Sequence, residues 1–114
     1  MITFRKVSVE EAEDKYKREV YSSLKSLERN VVVAFDNGTP VGHILWEGNL
    51  VTDLRVDESS RRKGVGSALL KHAEREMFSG GWGSSIVPST DAQSYYERSG
   101  YVPLGVRSAF KELV

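Results

Sequence analysis

The chain of 114 residues contains no cysteine. That excludes disulfides, a thiolate nucleophile and cysteine-rich metal sites, and it suits a reducing compartment, so a cytoplasmic location is expected. Histidine is nearly absent as well: His43 and His72 are the only two. A histidine-based metal centre is not expected, and no metal is assigned. Net charge is missing too, because sixteen basic residues balance sixteen acidic ones. Bulk charge therefore gives no argument for nucleic acid or an anionic membrane surface as partner. Apolar residues nowhere run long enough for a signal peptide or a membrane span, so a soluble protein is expected. No linker, repeat or low-complexity segment interrupts the chain, and its length suits one compact domain over residues 1–114.

What is present is a regular succession of short elements. Ile2 to Val7 reads as a first strand. Ser8 can cap a helix whose first turn holds Glu10, Glu11, Glu13 and Asp14. Val9, Ala12, Tyr16, Val20, Leu24 and Leu27 fall at steps of three or four, which predicts that this helix runs on to Glu28. Val31 to Phe35 and Val41 to Trp46, joined at Asn37-Gly38, predict a hairpin of two buried strands, and Leu50 to Val56 a further strand. From about Gly64 to Phe78 the pattern is an amphipathic helix with Val65, Ala68, Leu69, His72, Ala73 and Met77 on or near its inner face. Ser79-Gly80-Gly81 closes it. Ser84 to Val87 then reads as a short strand, about Asp91 to Ser99 as a helix closed by Gly100, and Tyr101 to Leu104 with Ser108 to Leu113 as a terminal hairpin. This order suits an α/β (α+β) fold with a mixed, mostly antiparallel central sheet flanked by helices.

One stretch carries chemistry: Arg61-Arg62-Lys63-Gly64-Val65-Gly66-Ser67, which follows a strand and opens a helix. Two glycines two apart let the main chain curl so that consecutive N–H groups face one anion, and the helix adds the positive end of its dipole. No Gly-Lys-Ser/Thr ending makes it a P-loop, and no third glycine makes it a dinucleotide fingerprint. By themselves these residues read more readily as a plain loop-to-helix turn beside a solvated basic run.

Leu54-Arg55-Val56-Asp57 stands before that loop. After it comes Ser89-Thr90-Asp91-Ala92-Gln93-Ser94-Tyr95-Tyr96-Glu97-Arg98-Ser99-Gly100-Tyr101. In order and separation, these segments resemble the pyrophosphate loop and the Asn-x-x-Ala-x-x-x-Tyr-x-x-x-Gly-Phe signature of the GCN5-related N-acetyltransferase (GNAT) family, strongly from Val41 to Leu104. The resemblance implies the acyl-CoA N-acyltransferase fold and direct transfer of an acetyl group from acetyl-CoA to a primary amine. It places the pantetheine arm along Leu54, Arg55 and Val56, with an N–H of Leu54 or Arg55 toward the thioester carbonyl. It places the pyrophosphate on Arg62, Lys63, Gly64, Val65, Gly66 and Ser67 beside Arg61. It makes Tyr96 the proton source for the leaving thiolate and also a contact of the cofactor, whereas packing alone accounts for Tyr95.

Two positions depart from the family. Ser89 replaces the frequent Asn, and its hydroxyl can still make one bond to the cofactor. Thr52 stands where several relatives carry Glu, which removes the easiest general base. Asp53, Glu47 and His43 then remain as alternatives, against the plainer view that Asp53 and Glu47 are solvated strand-end charges and His43 a satisfied sheet histidine. His72, Trp46 and Trp82 read as structural. The acceptor stays open among a small amine, an amino acid, an antibiotic and a protein amine, and a homodimer is one way for so short a chain to complete that pocket. The rivals are a non-catalytic acyl-CoA-binding or regulatory module and a nucleotide-phosphate-binding domain.

Overall fold

Valine sets the centre of the sheet. The computed structural model describes residues 1–18, 29–79, 83–86, 93–104 and 108–113. β1 (Ile2–Val7), β2 (Arg29–Asp36), β3 (Thr39–Glu47) and β4 (Leu50–Val56) form an antiparallel meander. Within β2, Val31, Val33 and Phe35 belong to one core and Val32 and Ala34 to another, and all five are buried. A strand that is apolar on both faces has to be covered on both. The β2–β3 turn is Asn37-Gly38 with φ of 50° and 88°, the left-handed pair that a two-residue hairpin needs and that Asn and Gly adopt at least cost.

After β4 a 3₁₀ turn (Glu58–Ser60) leads into α1 (Val65–Ser79), followed by β5 (Ser84–Ile86), α2 (Gln93–Arg98), β6 (Val102–Leu104) and β7 (Ser108–Lys111). The seven strands make one sheet in the order β1-β2-β3-β4-β5-β7-β6. β4 and β5 run parallel, and the other neighbours antiparallel. This is the mixed, mostly antiparallel sheet with flanking helices that the order of elements predicts. Val65, Leu69, Leu70, Ala73 and Met77 of α1 pack with Ile44, Trp46 and Val51 on one face. On the other, Val7, Ala12, Val31, Val33, Phe35 and Leu45 form a smaller core with Val9 and Tyr16 at its margin. Trp46 is core, as read; Trp82 lies outside the described residues. His72 sits on α1 with its ring 4.9 Å from Phe4, and burial holds its pKa below the ordinary value. No helix among the described residues is long and apolar enough to cross a membrane.

A buried carboxylate ties the closing hairpin to α1. Glu74 accepts from the Tyr101 hydroxyl (2.9 Å) and from Lys111 Nζ (3.2 Å). Because Tyr101 spends its one proton there, the 2.6 Å contact to Ser84 Oγ is a bond donated by the serine.

The first helix is not the one that periodicity predicts. Ser8 does cap it, accepting from Glu11 N–H at 3.0 Å. The regular part is then a single π-type turn, Glu11–Lys15. Successive bonds widen from Ala12 N–H to Ser8 O, to Tyr16 N–H to Glu11 O, to Arg18 N–H to Ala12 O. Lys17 turns into the left-handed region (φ 54°), and Arg18 leaves the helical path for partners on β3 and after β4. Tertiary bonding overrides propensity here. Val20, Leu24 and Leu27 lie outside the described residues.

At Gly42 the sheet tolerates no side chain. A Cβ there would stand 2.8 Å from the Arg55 carbonyl oxygen of β4, a main-chain atom fixed by its ladder. Gly42→Ala is expected to lower stability by about 1–3 kcal/mol, read as a fall in the urea midpoint with an unchanged slope.

Candidate active site

Among the described residues, β4 pairs with β5 only at its start. The parallel pairing is Leu50 with Ser85 and Val51 with Ile86, while β4 continues to Val56. From Thr52 onward, the main-chain groups on that edge have no strand partner among the described residues. The departure coincides with a bulge. Leu45 pairs with Asp53 and Trp46 with Val51, so Thr52 is the extra residue. Val51 and Leu54, three apart, consequently pack in the same core, which a regular strand forbids. The Thr52 hydroxyl turns back toward the Leu45 carbonyl at 3.4 Å.

The glycine loop closes one end of this gap. Arg62 and Gly64 both take positive φ (66° and 76°), and α1 begins at Val65, its first turn closed by Ala68 N–H to Gly64 O. The N–H groups of Val65, Gly66 and Ser67 thus have no partner within the helix. The first turn of α1 carries no acidic residue, so nothing of its own competes for the dipole. Val56, Ser60, Arg61, Arg62, Gly64, Val65, Gly66, Ser67, Tyr95 and Arg98 line a cleft of about 390 Å³ here. Gly66 is not a glycine for want of room: a Cβ would meet Val56 Cγ2 at 3.5 Å and the Tyr95 hydroxyl at 3.6 Å, both ordinary contacts. Its bareness leaves the floor of the cleft open.

Of the residues assigned to the cofactor from sequence, Val56, Arg61, Arg62, Gly64, Val65, Gly66 and Ser67 are brought together in this cleft. Arg61 also reaches back, donating from Nε to the Val56 carbonyl at 3.1 Å. Lys63 is exposed and outside the lining, Leu54 packs against the core under α1, and Arg55 is exposed with Nε 3.4 Å from Asp53 Oδ1. Ser89 lies outside the described residues. Sequence reading missed Arg98 and gave Tyr95 no role beyond packing, yet both line the cleft. Their spacing of three on one helix was the available signal.

Tyr96, the neighbour, is 6% exposed and packs its ring between Tyr95 (5.1 Å) and Tyr101 (5.6 Å). Among the described residues none pairs with its hydroxyl, and no described side-chain N or O is enclosed without a partner. The ring is therefore buried while the hydroxyl meets solvent. Burial pushes the phenol well above its ordinary pKa, and the nearby Tyr95 and Asp53 add to the shift.

Asp53 and Glu47 are not solvated strand-end charges. The Asp53 side chain keeps 12% of its exposure and bonds His43 Nε2 at 2.8 Å. Glu47 is fully buried on β3, paired and away from solvent. His43, 1% exposed, sits behind Asp53 and cannot itself touch a substrate.

An open strand edge that runs into an anion-binding helix start is the arrangement of an acyl-CoA enzyme, and a family comparison agrees. The profile described as the Acetyltransferase (GNAT) domain matches residues 2–113, and the chain belongs to that family of acetyltransferases. No curated protein matches the sequence. Among solved structures, a candidate streptothricin acetyltransferase from Bacillus anthracis in complex with acetyl coenzyme A is 13% identical with a TM-score of 0.81, over 100% of this chain and 99% of that one. PaiA N-acetyltransferase from Thermoplasma acidophilum, in complex with coenzyme A, is 18% identical with a TM-score of 0.80, over 98% and 99%. A GCN5-related N-acetyltransferase from Rhodopseudomonas palustris is 21% identical with a TM-score of 0.72, over 75% of this chain and 62% of that one. The fold is the acyl-CoA N-acyltransferase fold.

The raised phenols of Tyr96 and Tyr101 set a pH limit. A folded-state pKa above the unfolded value means that the unfolded chain loses its proton first. Stability is therefore full below about pH 10, the unfolded value, and falls as pH rises, by up to about 1.4 kcal/mol per pH unit for each phenol. Urea unfolding between about pH 9 and 11 should show that fall, and in Tyr96→Phe a slope roughly half as steep.

Proposed function

We propose that residues 1–114 act as one domain that transfers the acetyl group of acetyl-CoA directly to a primary amine. The observation that carries this reading is the cleft at the start of α1, where three N–H groups that the helix does not bond and three arginines meet an edge of β4 with no strand partner among the described residues. Two structural neighbours crystallised with acetyl-CoA or CoA support it. The absence of cysteine supports a cytoplasmic location and transfer without a thiol intermediate on the protein.

Bound acetyl-CoA supplies a thioester whose carbonyl carbon accepts the amine. The protein holds its pyrophosphate on the amides of Gly64 to Ser67, with Arg61, Arg62 and Arg98 around it, and its pantetheine along Leu54 to Val56. Since Arg55 turns its main-chain groups to β3, it is the N–H of Leu54 that faces the carbonyl oxygen as charge develops there. Asp53, directly or through water, takes the proton that the amine gives up; it is the carboxylate that stands at the bulge with both a fixed partner and residual exposure. Tyr96 stays protonated at neutral pH. A thiol ionises near pH 8.5, far below this phenol, so Tyr96 donates a hydrogen bond to the leaving sulfur and keeps its proton.

The acceptor class stays open among small amines, amino acids, antibiotics and protein amines, and a second copy of the chain is a candidate to complete its pocket. Thr52 favours a second reading, a non-catalytic acyl-CoA-binding module, since its hydroxyl is committed to Leu45 and offers no carboxylate.

Two measurements test these readings. Titration calorimetry should show acetyl-CoA binding that ATP does not displace. Gly66→Ala should weaken it about tenfold or more, by crowding the pyrophosphate, while leaving stability equal or higher by a few tenths of a kcal/mol. No binding by folded wild type would sink both readings. Steady-state acetylation of an amine panel, followed by free thiol, should then lose about 100-fold in kcat in Asp53→Asn and about tenfold in Tyr96→Phe. Binding without turnover of any amine would select the non-catalytic module.

A further inference from the structure

On the sheet face opposite α1, four polar side chains form a continuous chain that the chemistry above uses only at its end. Arg18 donates from Nη1 to both oxygens of Asp57 (3.0 and 3.2 Å) and from Nε to Nδ1 of His43 (2.9 Å). The other ring nitrogen of His43 lies 2.8 Å from Oδ2 of Asp53. The Arg18, His43 and Asp53 side chains retain 11%, 2% and 12% of their exposure. Asp57, the residue that opens the 3₁₀ turn before the glycine loop, is anchored to β3 through its N–H to the Val41 carbonyl (2.8 Å).

A guanidinium has five donors and no acceptor. Nδ1 of His43 must therefore present its lone pair to Arg18, and the ring proton resides on Nε2, where Asp53 is the acceptor. An ion pair between Arg18 and Asp57 alone would be enough to moor the segment after β1. The additional bond to a buried histidine, whose other nitrogen bonds the carboxylate at the bulge, calls for a further explanation. The remaining charged groups around the line are accounted for: Arg55 Nε stands 3.4 Å from Asp53 Oδ1, and Arg5 pairs with Glu11 (3.5 Å).

We infer that Arg18 is a positioning residue for the acid–base centre. By donating to Nδ1 it works together with Asp53 to keep the His43 proton on Nε2, and through that ring it holds the Asp53 carboxylate in one orientation toward the amine. The inference rests on the reading of Asp53 as the base.

The test separates the two ideas. With ¹⁵N-labelled histidine at about pH 8, where a free imidazole is neutral, the chain gives signals from two rings, and His72→Gln identifies the other. Wild-type His43 should show the pattern of a ring protonated on Nε2 alone. In Arg18→Met the Nδ1 signal should shift as its lone pair loses the guanidinium donor, while Asp53 keeps the proton on Nε2; a wild-type ring protonated on Nδ1, or an unchanged Nδ1 signal in the variant, overturns the inference. If Arg18→Met fails to fold by circular dichroism, Arg18→Lys, which keeps the charge opposite Asp57 without the fork, takes its place under the same criteria. In turnover, Arg18→Met should lower kcat about tenfold with KM for acetyl-CoA within about twofold, and should cost nothing more once Asp53 is Asn. An equal loss in both backgrounds overturns it. If wild type acetylates no amine, the proposed function fails and the nitrogen spectra alone decide whether Arg18 governs His43.

Discussion

Main-chain groups inside a sheet must find partners, and among the described residues the outer edge of β4 has no strand partner beyond its start. The parallel pairs between the described parts of β4 and β5 are Leu50 with Ser85 and Val51 with Ile86, and β4 runs on for five residues to Val56. An unpaired edge normally invites aggregation and is blunted by charge, proline or a covering loop. Here the bulge at Thr52 shifts the register of β4 against β3, and Leu54 and Val56 beyond it pack in the core with α1. A ligand that presents an extended amide chain supplies the missing partners in the manner of strand addition.

The electrostatics complement that opening. The chain is neutral as a whole, so any attraction for an anionic donor must be local. It is concentrated at the start of α1, where Arg61, Arg62 and Arg98 surround helix N–H groups that no acidic side chain in the first turn offsets. The backbone contributes strain of its own. Arg62 sits at φ 66°, a left-handed conformation that costs a non-glycine residue about 1–3 kcal/mol. Such a cost persists where the surroundings over-determine it, and here the loop has to turn sharply between the β4 edge and the helix that packs beneath it.

Local chemistry was legible in the sequence and long-range bonding was not. Asn37-Gly38 announces its hairpin because a two-residue turn has few solutions, and α1 is readable because Val65, Leu69, Ala73 and Met77 repeat at the helical period. The glycine loop is readable for the same reason: its neighbours in sequence are its neighbours in space. The first helix fails as a prediction because what ends it lies elsewhere: Arg18 bonds residues 25 and 39 positions away. The bulge at Thr52 has no signature in a run of Leu50-Val51-Thr52-Asp53-Leu54. Burial of Asp53 and Glu47 likewise depends on which strands are covered, and residue type alone argued for the opposite.

The adjacent tyrosines show how one position on a short helix divides two tasks. Residues next to each other on a helix point about 100° apart, so Tyr95 turns its hydroxyl to Ser67 (3.5 Å) at the cleft while Tyr96 sinks its ring into the core. That burial raises the phenol's pKa and limits what it can do. A group much less acidic than a thiol does not surrender its proton to a thiolate, so in the proposed transfer its part is to stabilise the leaving sulfur by hydrogen bonding and to keep its own proton. The proton needed to complete the cycle must then come from the amine by way of Asp53 or from solvent. In the proposed transfer Asp53 is the group that takes up and passes on a proton, which is why the bonds that hold it in place matter more to that reading than the identity of the phenol.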